Sequence, residues 1–218
     1  MNVLVLLGMS VAFLSLFAIS EWLYVKGKVA VEITRKISHI GTGILTLVFP
    51  VVLTNHWEVL ILCSSFLILL VLSIRFEFLK GINNVERTTY GSVLYPVAVY
   101  LVYLVYAETG NLGHFYAPIL ILAICDPVAA LVGRRWPLIP FSVAGETKTV
   151  AGSVAFSLSA FFITGIIWMM ESEPLSVQSI FTVLAIALIS ALTEAVSRKG
   201  WDNLSIPLSV LLVIWMGS

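Results

Sequence analysis

Asp126 lies inside an apolar run and is followed at once by Pro127, in the order Asp-Pro-Val-Ala-Ala-Leu-Val-Gly-Arg-Arg. Inserting a charged side chain near the centre of a bilayer costs about 2.5 to 3.5 kcal/mol, so a carboxylate in such a place is a candidate for chemistry. Glu21 and Glu194 share the property, at the edges of two other runs. Asp favours the N-cap and Pro the first helical position, so the pair predicts a span that breaks and restarts at Asp126. Broken spans are tolerated where they line a cavity. Ala129, Ala130 and Gly133 follow at i+3, i+4 and i+7 and make one helical face narrow. Two roles fit that face: close approach of a ligand, or packing against a neighbouring helix with Asp126 capping a kink.

Downstream, Gly145-Glu146-Thr147-Lys148-Thr149-Val150-Ala151-Gly152-Ser153 runs into the next apolar stretch. A Lys and hydroxyls at a helix N-terminus suit an anion, because the free N–H groups and the positive dipole end point the same way. The Walker A spacing is absent, and a basic anchor at the membrane surface is the other reading of this loop. Arg35-Lys36-Ile37-Ser38-His39 opens an earlier span, with Arg35 and His39 on one face and Glu32 spaced to pair with Lys36. His39 fits either a base or a hydrogen-bonded structural role. Glu86 precedes Tyr90-Gly91, and Glu194 is followed by Arg198, Lys199, Asp202 and Asn203. Asp202 or Asn203 would cap the last span, and a carboxylate beside an amide oxygen also suits Mg²⁺ bridging phosphates.

Together these groups have the composition that phosphoryl transfer needs. Glu86, Asp126, Glu194 and Asp202 offer a metal site and a proton acceptor, and the cations neutralise developing charge. A lipid alcohol would reach them sideways from the bilayer.

The elements that carry these residues are membrane spans. With 60% hydrophobic and 11% charged residues in 218, and a mean hydropathy of +1.05, the chain is not an ordinary soluble domain, where charged residues run to about 25%. Runs near crossing length lie at roughly 3–24, 38–55, 57–74, 91–107, 114–133, 150–170, 177–196 and 203–217. They predict one all-α polytopic transmembrane bundle over residues 1–218, with eight spans, or seven if the short turn at Asn55–Trp57 fails, and short loops. Cys63 and Cys125 sit in separate apolar runs and suggest neither a disulfide nor a metal site. All twelve Lys and Arg fall in gaps that follow odd-numbered spans. The positive-inside rule then puts the cations, and the carboxylates among them, at the cytoplasmic face and both termini opposite.

In these segments the chain resembles the CTP-dependent lipid alcohol kinases, which include dolichol kinase, phytol kinase and the CTP-type diacylglycerol kinase of fungi. The resemblance runs from Arg35 to Pro207 and rests on Arg35-Lys36 with His39, Tyr90-Gly91, Asp126 through Gly133-Arg134-Arg135, Lys148-Thr149 with Gly152, and Glu194 with Asp202-Asn203-Leu204 and Pro207. Many members have Gly before the Asp and no Pro after it, whereas this chain has Cys125 and Pro127. The resemblance implies that Arg35, Lys36, Asp126 and Gly133 are needed for activity, and that the loop between the fifth and sixth spans helps bind the nucleotide. Asp126, Arg35, Lys36 and His39 are the expected catalytic group. Gly133, Arg134, Arg135, Lys148, Thr149 and Gly152 are expected at the phosphates, with Asp126, Asp202, Asn203 and Glu194 around a metal. CTP and Mg²⁺ are the implied cosubstrate and cofactor; a lipid alcohol and membrane lipids are the implied partners, with no nucleic acid, in a bacterial inner membrane. A cytidylyltransferase forming a CDP-lipid shares the nucleotide and metal, and a transporter with a broken helix is a third reading.

Overall fold

Lipid offers backbone groups no hydrogen-bond partner, so apolar runs of this length must become helices. The computed structural model describes residues 2–83, 89–143, 145–171 and 176–217. In order along the chain come α1 (Val3–Val25), α2 (Val31–Thr46), α3 (Phe49–Val52), α4 (His56–Arg75), α5 (Lys80–Asn83), α6 (Gly91–Thr109) and α7 (Gly113–Leu120). A π-helical segment, Ile121–Cys125, joins α7 to α8 (Asp126–Arg135). A hairpin of β1 (Pro140–Val143) and β2 (Glu146–Thr149) then leads to α9 (Val150–Met170), α10 (Val177–Val196) and α11 (Asp202–Gly217).

Six of these stretches are long and apolar enough to cross a membrane: α1, α4, α6, α7 through α8, α9 and α10. The helices α2 and α11 have 16 residues each, about 24 Å of rise, and complete the bundle. Packing runs in a chain of neighbours, with α9 against α8 and α10, α11 against α10 and α6, α6 against α4, and α2 against α1. Polar residues set the helix ends: Asn2, Asn55, Thr149 and Ser176 cap α1, α4, α9 and α10 with their side chains. Gly110, at φ 68°, closes α6 in the left-handed conformation.

Three local expectations are corrected. The second span starts at Val31, not Ser38. Glu, Thr, Arg and Lys are compatible with helix, and their polar face turns inward, so Arg35 and Lys36 lie within a helix instead of opening one. That helix ends near Pro50, which sits in the first turn of α3 and has no N–H to continue the ladder. The fifth span does not break at Asp126, whose φ of −62° and ψ of −51° are right-handed helical. A π turn absorbs Pro127 in place of a break. Finally, the loop before α9 is an antiparallel hairpin pairing Pro140 with Thr149 and Val143 with Glu146.

Hydrogen bonds sort the ends of the helices into two sets. At one end Glu58 accepts from the Asn2 N–H at 2.8 Å, Glu171 accepts from the Gly113 N–H at 2.7 Å, and the Gln178 amide donates to the Gly217 carbonyl at 2.9 Å. The first and last described residues therefore share the end that the cations avoid. At the other end the Tyr90 N–H donates to the Lys199 carbonyl at 2.8 Å, and the Asn203 amide donates to the Gly91 carbonyl at 2.7 Å. The start of α6 is thus bolted to the turn before α11.

That bolt requires two glycines. Gly200 has φ 83°, and a Cβ there would fall on the Gly91 backbone N. A side chain at Gly200 meets both a backbone penalty and a backbone atom that cannot yield. Gly200→Ala is expected to lower stability by about 1–3 kcal/mol, read as a lower thermal unfolding temperature in detergent. Gly8→Ala, where nothing lies within 4 Å, should leave it unchanged.

Candidate active site

The small-residue stripe of α8 is a packing surface. A Cβ on Gly133 would come within 2.7 Å of Thr149 Oγ1, and one on Gly152 within 2.9 Å of the Ala129 carbonyl. Only glycine lets α8 and α9 approach so closely. Thr149 Oγ1 accepts from the Gly152 N–H at 3.1 Å, so the expected anion-binding helix start is capped from within. Lys148, expected to be free for an anion, forms an ion pair with Glu194 at 2.6 Å and also donates to the Glu194 carbonyl. Their side chains are 13% and 10% exposed. At that burial neither charge is stable alone, so each takes the other as its partner and ties β2 to the end of α10. Glu146 adds a second tie by accepting from the Lys199 N–H at 2.9 Å.

Opposite the hairpin, α2 presents a different electrostatic situation. Arg35 pairs with Glu32 at 3.0 Å, one turn away, in place of the expected Glu32–Lys36 pairing. Lys36 Nζ and Arg35 Nε are buried with no hydrogen-bond partner among the described residues. Leaving such a donor unpaired costs about 1–3 kcal/mol. Lys36 stands in the combined field of Arg134, Asp126 and Arg35. No described residue donates a hydrogen bond to the Asp126 carboxylate, and Asp202 lies within electrostatic range of Asp126, Lys148 and Glu194. The charges nearest Asp126 are therefore arranged around it without being neutralised by it.

The π segment orients Asp126. In a π turn the partner of the Leu122 carbonyl would be the N–H of residue 127, and Pro127 has none. His39 Nε2 lies 3.0 Å from that carbonyl, which can only accept, so the bond requires the proton on Nε2. The bond gives His39 a structural contact that joins α2 to the segment carrying Asp126.

These groups line one cavity of about 1140 Å³. Arg35, Lys36, His39 and Asp126 are on its wall, as are Gly133, Arg134, Lys148 and Thr149. Gly91, Gly152, Glu194, Asp202 and Asn203 complete the set that the tertiary fold brings together. Arg135 is not among them; its guanidinium stands over the Trp136 ring at 5.7 Å. Tyr90 is half-exposed and contributes its backbone, not its ring, to the turn at Lys199. Glu86 lies outside the described residues.

For a metal, the donor set is sparse. No three His, Cys, Asp or Glu side chains cluster around a single point among the described residues. Asp126 and Asp202 nonetheless suit Mg²⁺ in its usual manner, through one or two carboxylates with phosphates and water filling the remaining positions. Asn203 spends its amide N–H on Gly91 and keeps only its carbonyl oxygen for a ligand.

Sequence reading missed several cavity residues. Thr42 and Thr46 continue the face of Arg35 and His39 along α2, and Phe13, Phe17, Phe49 and Phe66 come from three other elements. The threonines left a readable trace, a polar stripe at i+3 and i+4 spacing through an otherwise apolar run. The phenylalanines left none, because a ring lining a cavity and a ring facing lipid are the same letter.

No family model matches the chain, and no solved structure matches it. Phytol kinase from Synechocystis sp. is 32% identical to it over 187 residues, which is 86% of this chain and 80% of that protein.

The Lys148–Glu194 pair makes a direct test of the geometry. Lys148→Met or Glu194→Gln alone should cost about 3–5 kcal/mol by stranding a buried charge. The double variant should cost less than either single one, a coupling read from thermal unfolding of all four proteins.

Proposed function

The chain belongs to the family of CTP-dependent lipid alcohol kinases that includes phytol kinase, and from that membership we propose that it transfers the γ-phosphoryl group of CTP to the hydroxyl of an isoprenoid alcohol. It is an integral membrane kinase acting on an alcohol. The observation that carries the finer reading is the position of Asp126. Its carboxylate takes no hydrogen bond from any described residue, and it faces a cavity that is polar on the Arg134 side and apolar beyond His39 and Thr42. Arg134 lies eight residues further along the same helix, about 12 Å towards the cation-bearing end.

Each part of the cavity then has a task. Arg134, with Lys36 and Arg35, holds the phosphates, which supply the acceptors that Lys36 Nζ and Arg35 Nε lack among the described residues. Asp126 accepts the proton of the alcohol hydroxyl and orients its oxygen towards the γ-phosphorus. Asp202, with Asp126, would hold Mg²⁺, which would supply positive charge to offset the charge that develops on the phosphates. Lys148 and Glu194 brace the hairpin against α10 and shape the wall on the nucleotide side. The positive-inside rule puts this end at the cytoplasm, where the nucleotide is.

Purified protein offered CTP labelled at the γ position and an isoprenoid alcohol should yield labelled lipid. Label from the α position would instead indicate a CDP-lipid and overturn the phosphoryl-transfer assignment. Asp126→Asn should lower kcat by at least about 100-fold with thermal unfolding unchanged. Activity within a few-fold of the parent would remove Asp126 from the chemistry.

A further inference from the structure

Beyond the polar groups the cavity continues between α1, α2, α4 and α6. Its wall there is apolar, formed by Phe13, Phe17, Phe49, Leu62, Phe66 and Val99. Lys36 on α2 and Phe49 at the start of α3 both line it, 13 residues apart (49 − 36), at most roughly 20 Å at helical rise. The deep end is closed by rings. Phe13 meets Phe49 edge-on at 6.0 Å and Phe66 at 5.1 Å, while Phe17 meets Phe66 at 5.8 Å. Phe49 is 2% exposed and Phe13 6%.

What lies behind the rings holds them in place. The Tyr103 hydroxyl donates to the Leu53 carbonyl at 3.0 Å, four residues past Phe49. Glu58 accepts from the Thr54 N–H at 2.8 Å and from the Asn2 N–H at 2.8 Å, fastening α1 to the start of α4. The floor is therefore made of packed aromatic side chains on elements tied together by side-chain-to-backbone hydrogen bonds. Such an interior resists insertion of further volume.

A chamber with polar groups at one end, apolar walls and packed rings at the other measures the chain it holds. We infer that Phe13, Phe49 and Phe66 set the maximum length of the acceptor's hydrocarbon tail, with the hydroxyl held at Asp126 and the tail end against the rings. This rests on the kinase reading of the site given above. Each additional unit that fits adds contact, and the first unit that does not fit forces the hydroxyl away from Asp126. A hydrophobic pocket discriminates by about 10- to 200-fold per misfit methylene, so the limit is sharp.

Turnover measured on geraniol, farnesol, geranylgeraniol and a long polyprenol tests this. For the wild type, kcat/KM should rise with chain length until the tail fills the chamber and then drop by at least about tenfold. Phe49→Ala should move the drop to a longer alcohol and Val99→Phe to a shorter one, each changing the ratio between neighbouring alcohols by about tenfold. A wild-type profile that stays level out to the long polyprenol overturns the inference without any variant. Variants that run as single species on size exclusion and keep the wild-type profile overturn it as well. Wild-type protein that labels none of the alcohols sinks the kinase reading of the site, and the length limit falls with it.

Discussion

A charge within the apolar thickness of a bilayer must find a partner, water or a ligand, and the bundle is organised by that requirement. Glu58 takes the Asn2 and Thr54 N–H groups, Glu21 takes the Gly81 N–H, and Glu194 takes Lys148. Each of these carboxylates closes a junction between elements distant in sequence. Asp126 stands apart because no described residue hydrogen-bonds its carboxylate, and nearby Lys36 Nζ and Arg35 Nε have no partner among the described residues either. Among the described residues, Lys36 Nζ, Arg35 Nε and Asp126 thus leave polar capacity open in the same cavity.

Close backbone approach is what brings the cavity walls together. Gly133 and Gly152 let α8 lie on α9, while Gly91 and Gly200 let the start of α6 meet the turn before α11. In each case the space for a Cβ is already filled by a backbone or side-chain atom of the other element. The π segment contributes in a different way. By absorbing Pro127 it leaves the Leu122 carbonyl for His39, so a missing backbone N–H becomes the contact that joins α2 to Asp126. Gly133, Thr149, Gly152 and Lys148, expected at the phosphates, also make contacts that hold the wall together.

On the function proposed above, the cavity's two halves divide the labour of a lipid kinase. Cations and carboxylates crowd the half nearest the basic end of the bundle, while aromatic and aliphatic rings and chains line the half between α1, α2, α4 and α6. A soluble nucleotide and a membrane-borne alcohol are immiscible, and they can meet only where such halves adjoin. Family membership and geometry agree on this point, since the relative phosphorylates an alcohol and the chain is built of membrane-crossing helices.

The sequence by itself determined the helical, polytopic class and the segregation of the cations, because both follow from composition and run length. It also marked Asp126, whose insertion cost is a property of the residue and its immediate neighbours. The uses of Lys148, Glu194, Arg135 and His39 were decided only by the tertiary structure. Lys148 and Glu194 are 46 residues apart and neutralise each other; Arg135 differs from Arg134 by one position, a rotation of about 100° that takes it off the cavity wall. His39 reaches a carbonyl 83 residues away in sequence. The phenylalanine floor was equally invisible, since hydrophobicity drives a ring out of water without stating whether lipid, core or cavity receives it. Partner choice among charged and aromatic side chains depends on distance in space, and one chain read in order carries only distance along itself.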